Sequence, residues 1–188
     1  RQRTDRGVFL WDKGIYMRLG GRISAAIEIL SDFEARRVPL KTAIADWGRS
    51  NLYAGAKDRA FISGLCLDAL RRRKSLGTAM GKATPRAAIL GALHFLWKTN
   101  VEEIAAALVE EHGPGALTEN EKAALATAEL PVAADYPEWL RPQLARVFGE
   151  NESTVMAAFC ERADIDLRLN SLKTTPDKAL AALKTVKA

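Results

Sequence analysis

The sequence predicts an all-α helical bundle, followed near its end by a short strand and helix that open an α/β unit. Three observations lead there. Apolar residues recur at three-to-four spacing from Ile23 to Phe159. Helix-start signals, Thr84-Pro85 and Thr118 with Glu121, punctuate that pattern. The period then changes to two at Leu167 and Leu169. With 188 residues, 48% of them hydrophobic, the chain can bury a sizeable core. Val8 to Trp11 is too short for the apolar region of a signal peptide, and no other run approaches membrane-span length. A cytoplasmic protein without a membrane partner is therefore expected.

Residues 1–16 carry Arg1, Arg3, Arg6 and Lys13 without a sustained apolar period, and read as a basic leader or arm. Residues 17–130 read as one helical domain. In it Ile23, Ala26, Ile27, Leu30 and Phe33 make residues 22–36 an amphipathic helix, with Arg36 and Arg37 at its end. Pro39 starts a second helix, with Leu40, Ile44 and Trp47 on one side. Lys57 to Leu76 reads as a long central helix with Phe61, Leu65, Cys66, Ala69 and Leu70 inward. The helix opened by Thr84-Pro85 is apolar nearly all round through Trp97, as a helix enclosed by its neighbours should be. Val101 to Glu111 and an Ala-rich helix capped by Thr118 and Glu121 complete the domain. Residues 131–188 are expected to hold linking helices, one from Tyr136-Pro137 to Gly149 and one from Glu152 to Arg162. A strand at Leu167 and Leu169 and a last helix from Thr175-Pro176 follow.

The net charge of +5 is unevenly spread: residues 1–100 hold 19 Lys and Arg against 8 Asp and Glu, or +11, and the remainder carry −6. The first half is the candidate surface for a polyanion. Arg22, Arg59, Arg71, Arg72 and Lys74 are its candidate contacts, because guanidinium pairs with phosphate through two donors and each contact releases counterions. Three consecutive helical residues span about 200°, so Arg71, Arg72 and Arg73 cannot all face one ligand. The inward side at Leu65, Cys66 and Ala69 turns Arg72 and Arg71 outward and leaves Arg73 nearer the core. Helix-end cations also stabilise a helix without any ligand, by about 0.3–1 kcal/mol. Cys66 and Cys160 read as inert core cysteines, and Trp47, Trp97 and Trp139 as core aromatics. His94 and His112 have no acid, thiol or hydroxyl partner at a recognisable spacing, and no metal-ligand set is evident.

The stretch Lys57-Asp58-Arg59-Ala60-Phe61 through Leu70-Arg71-Arg72 resembles the NusB-like RNA-binding helical domain of bacterial RNA cytosine-5 methyltransferases of the RsmB/Sun type. Gly21-Arg22 with Ala25-Ala26 precedes it, and Ala87-Ala88-Ile89-Leu90-Gly91-Ala92-Leu93 follows it. The tail Asp166-Leu167-Arg168-Leu169-Asn170 is similar to the strand that begins the catalytic half of those enzymes. The resemblance implies a NusB-like bundle followed by the start of a truncated methyltransferase domain. Its partners would be RNA, in particular rRNA, and the enzyme's own carboxy-terminal catalytic domain. S-adenosylmethionine would be the cofactor of the full-length enzyme, with none bound by this chain.

In that family one cysteine thiolate attacks C6 of cytosine and a second assists release, in Pro-Cys and Thr-Cys contexts. Neither Cys66 nor Cys160 has such a context, and Gly113-Pro114-Gly115 lacks the preceding strand of a cofactor loop, so no catalytic residue is assigned. Glu102, Glu103, Glu110, Glu111, Glu119 and Glu121 stand where the family often has a second basic segment, so no RNA contact is carried into residues 101–130. The alternatives are a free-standing antitermination factor of the NusB type, which binds RNA and a protein partner, and a helical scaffold whose charge governs only solubility.

Overall fold

The computed structural model describes residues 17–131, 135–163 and 166–184, all without β-strands. The expected basic arm at 1–16 lies outside them. Helix α1 spans Leu19–Arg36, α2 Leu40–Ser50, α3 Ala56–Arg71 and α4 Arg73–Ala79. Helix α5, Pro85–Gly91, widens into a π-helical turn at Ala92–Leu96; α6 is Val101–Leu108 and α7 Glu119–Thr127. A 3₁₀ turn at Glu138–Leu140 leads into α8, Arg141–Phe148; α9 is Glu152–Phe159 and α10 Pro176–Leu183.

Helix α5 is the centre, with Ala87, Ala88, Ile89, Leu90 and, in the π turn, Ala92 and Leu93 all buried. It packs against α1, α3 and α4, and shares one core with Ile23, Ala26 and Ile29 of α1, Ile62, Leu65 and Cys66 of α3, and Ile104 and Leu108 of α6, which lies against α1. Local chemistry sets most boundaries. Thr84, Thr118 and Thr175 each accept a hydrogen bond from the backbone of their helix's first turn, as capping threonines do. Helix α8 stops at Gly149, whose φ of 54° suits a residue without Cβ. Where α1 meets α6, Gly20 allows contact of backbones: a Cβ there would lie 2.2 Å from the Ala107 carbonyl oxygen.

Three expectations need correction. The long helix from Lys57 to Leu76 is two helices, broken at Arg72 with φ −114° and ψ 25°. The first turn of α4 is held by a residue from far along the chain: Asp135 accepts from the Ser75 backbone N–H at 2.9 Å and from its hydroxyl. Residues 166–170 belong to no strand; Leu167 is 59% exposed, and among the described residues there is no other strand to complete a ladder. Trp139 is not a core residue but 71% exposed.

Among the described residues from 135 onward the buried hydrophobics are Tyr136 and Met156, while Val147, Phe159, Leu172 and Leu180 are exposed. Leu140, Leu144 and Phe148 turn partly inward at a spacing of four, and so orient α8 toward α9. This part is joined to the bundle largely by polar contacts. That junction forms one side of the candidate site.

Candidate nucleic-acid interface

The candidate cations divide between the two ends of α3, which for Arg59 and Arg71 are about 18 Å apart along the helix axis. At the first end Arg22 reaches from α1 to Asp58, Nε to Oδ1 at 2.8 Å and Nη2 to Oδ1 at 2.7 Å. Its guanidinium also lies 5.0 Å from the centre of the Phe61 ring. Asp58 is 1% exposed and accepts further bonds from the backbone N–H groups of Gly55 and Met17. Arg59 donates from Nε to the Ala54 carbonyl at 2.8 Å and from Nη2 to Asn51 at 3.4 Å, which fixes the turn between α2 and α3.

At the second end the α3–α4 break fans four consecutive cations in different directions. Arg71 Nη1 pairs with Asp68 at 2.7 Å and Arg73 Nη2 with Glu34 on α1 at 2.6 Å. Lys74 donates to the Tyr136 carbonyl at 3.0 Å and lies 3.5 Å from Glu138. Arg72 pairs with Glu161 and reaches the Ala157 carbonyl at the end of α9. This corrects the expected orientation of Arg72. Its side chain does point away from the bundle core, but α9 covers it and leaves it 12% exposed, against 36% for Arg71 and 40% for Arg73. Each of these cations has a carboxylate partner. A guanidinium nevertheless carries several N–H donors, and the single donor used by Arg71 or Arg73 leaves others turned to solvent.

Asp68 organises the junction. It accepts from Arg71, from Arg162 Nε at 3.1 Å and from the indole Nε1 of Trp97 at 2.8 Å. Burial alone would raise its pKa, but the hydrogen bonds from Arg162 and Trp97 and the charges of Arg162 and Arg71 outweigh it and hold the carboxyl below the usual range. Sequence reasoning missed Asp68, Asp135, Glu161 and Arg162 as partners. Asp68 did carry a signal: it stands on a face that continues the inward row of α3, where an unpaired carboxylate would be costly.

The remaining candidates have structural roles. Trp47 is 7% exposed and donates to Glu28 at 3.0 Å. His94 Nδ1 meets the Thr99 carbonyl at 3.1 Å, and the His112 carbonyl accepts from Ser24. Burial pushes the Cys66 thiol up to about 12, in keeping with an inert core residue. Cys160 is not in the core: it lies partly exposed at the end of α9, and partial burial raises its pKa also. Among the described residues no group of His, Cys, Asp and Glu could hold a metal ion, and no helix is long and apolar enough to cross a membrane. Compared with known proteins, the chain matches no protein family, no curated sequence and no solved structure.

Proposed function

We propose that this chain is the NusB-like, RNA-binding portion of an S-adenosylmethionine-dependent rRNA cytosine-5 methyltransferase, and that it docks RNA for a catalytic domain. The observation that carries the reading is the fan of Arg71, Arg72, Arg73 and Lys74 at the α3–α4 break, set in the half of the sequence that carries +11. Arg71 and Arg73, partly exposed and held toward different sides of the break by Asp68 and Glu34, are the contacts to test. A rigid guanidinium loses little freedom when it meets a phosphate, and a helical surface of this kind reads shape and backbone rather than sequence. The exposed Trp139, Val147 and Phe159 leave apolar side chains beyond the bundle that a further protein unit would cover in the second half of the proposal. Methyl transfer itself is not assigned to this chain, because neither Cys66 nor Cys160 stands in the Pro-Cys or Thr-Cys context of that family.

The test is a shift assay with a structured RNA at two ionic strengths, using the wild-type chain and Arg71→Glu/Arg73→Glu. Affinity should fall steeply with salt, by about tenfold or more for several phosphate contacts between 50 and 200 mM. The double variant should bind more weakly and with a shallower salt slope. Salt-independent binding, or unchanged binding by the double variant, would remove the RNA face from the α3–α4 break.

A further inference from the structure

Between α3, the π-helical turn and the end of α9 lies an open cleft of about 760 Å³, within the size range of small-molecule sites. Its floor is α3 itself, half-buried at Gly64. A Cβ there would meet Arg162 Nη2 at 3.4 Å and the Trp97 ring at 3.6 Å, so a flat indole and a flat guanidinium flank bare backbone. Asp68 holds both flanking groups, through Trp97 Nε1 at 2.8 Å and through Arg162 Nε at 3.1 Å. Arg72 stands at the rim, and its carboxylate partner Glu161 is 72% exposed. Glu161 thus meets the largely covered Arg72 from the solvent side, which is the side open to another anion.

Resting on the RNA-binding reading above, we infer that this cleft receives one unpaired nucleotide of the bound RNA. The base lies against Trp97 and the Arg162 guanidinium, and the phosphate takes the place of Glu161 on Arg72. Flat aromatic and guanidinium surfaces are what unstacked bases bind, whereas a paired A-form helix cannot insert a base into a slot. Asp68 is the positioning residue: it touches no RNA and keeps the two stacking groups in place. The π turn serves the same end, since the extra residue in its last turn brings Phe95, Leu96 and Trp97 together on the cleft wall.

The experiment compares a hairpin bearing an unpaired loop with a blunt duplex of the same length and charge. Wild-type chain should bind the hairpin at least tenfold more tightly, and Gly64→Leu, which fills the floor, should erase that difference while keeping salt-dependent duplex binding. A second readout needs no variant: Cys160 lines the cleft and Cys66 is buried. The hairpin should slow iodoacetamide alkylation of Cys160 several-fold, and the duplex or polyglutamate should not. Equal, salt-dependent binding of hairpin and duplex, or equal protection of Cys160 by polyglutamate, overturns the cleft assignment and leaves the RNA reading standing. Failure of the wild-type chain to bind either RNA overturns both.

Discussion

Removing the Asp68 carboxylate should loosen the junction between the bundle and the segment that ends in Arg162, and the size of the loss can be worked from its partners. The hydrogen bond from Trp97 Nε1 at 2.8 Å goes to a charged acceptor on a residue 8% exposed, a setting worth about 1.5–3 kcal/mol. The pairs with Arg71 and Arg162 involve side chains 36% and 61% exposed, so solvent screening reduces each to about 0.2–1 kcal/mol. Asp68→Ala should therefore cost about 3 kcal/mol in urea unfolding. In a chain of this size that lowers Tm by about 6–12 °C. Asp68→Asn keeps an acceptor for the indole and should cost about 1–2 kcal/mol.

The pH dependence has a definite sign. The folded-state pKa of Asp68 lies below the unfolded value of about 3.9. Its charge therefore contributes fully above that value, and the contribution is lost as pH falls through the folded pKa. The stability difference between wild type and Asp68→Asn should be largest near neutrality and shrink below about pH 4. Equal losses for the Asn and Ala variants, or a difference that grows in acid, would refute this account of the junction.

Arg72→Glu places a carboxylate opposite Glu161 in a site 12% exposed, so α9 should loosen by about 1–3 kcal/mol. Faster hydrogen exchange across Glu152–Phe159, partly restored by adding Glu161→Arg, is the expected result. Unchanged exchange would show that α9 is not held through Arg72. Gly20→Ala should destabilise by more than about 2 kcal/mol, because the new Cβ would sit 2.2 Å from the Ala107 carbonyl oxygen and α1 and α6 must part. An exposed helical Gly→Ala change would instead gain about 1 kcal/mol. A urea midpoint at or above that of wild type would sink the close-contact reading.

What could be read from the sequence was whatever neighbours along the chain decide. The all-α character, the enclosed helix α5, the caps at Thr84, Thr118 and Thr175, and the stop at Gly149 all follow from interactions within a turn or two. Such interactions have the same partners in any fold that contains the helix. The exposure of a helix face depends instead on what is packed against it. The apolar spacing around Leu65 and Cys66 oriented α3 correctly, but nothing local announced that α9 would cover Arg72 or that Trp139 would face solvent. The break at Arg72 is of the same kind, since the side chain that holds the start of α4 is Asp135, 60 residues on. Asp68 meets Arg162 across 94 residues, and Arg22, Arg71, Arg72 and Lys74 each found a carboxylate that the charge pattern could count but not place. Only the tertiary structure could decide these pairings, because an ion pair is set by distance in space, and every acidic residue in the chain was an equal candidate until the helices packed.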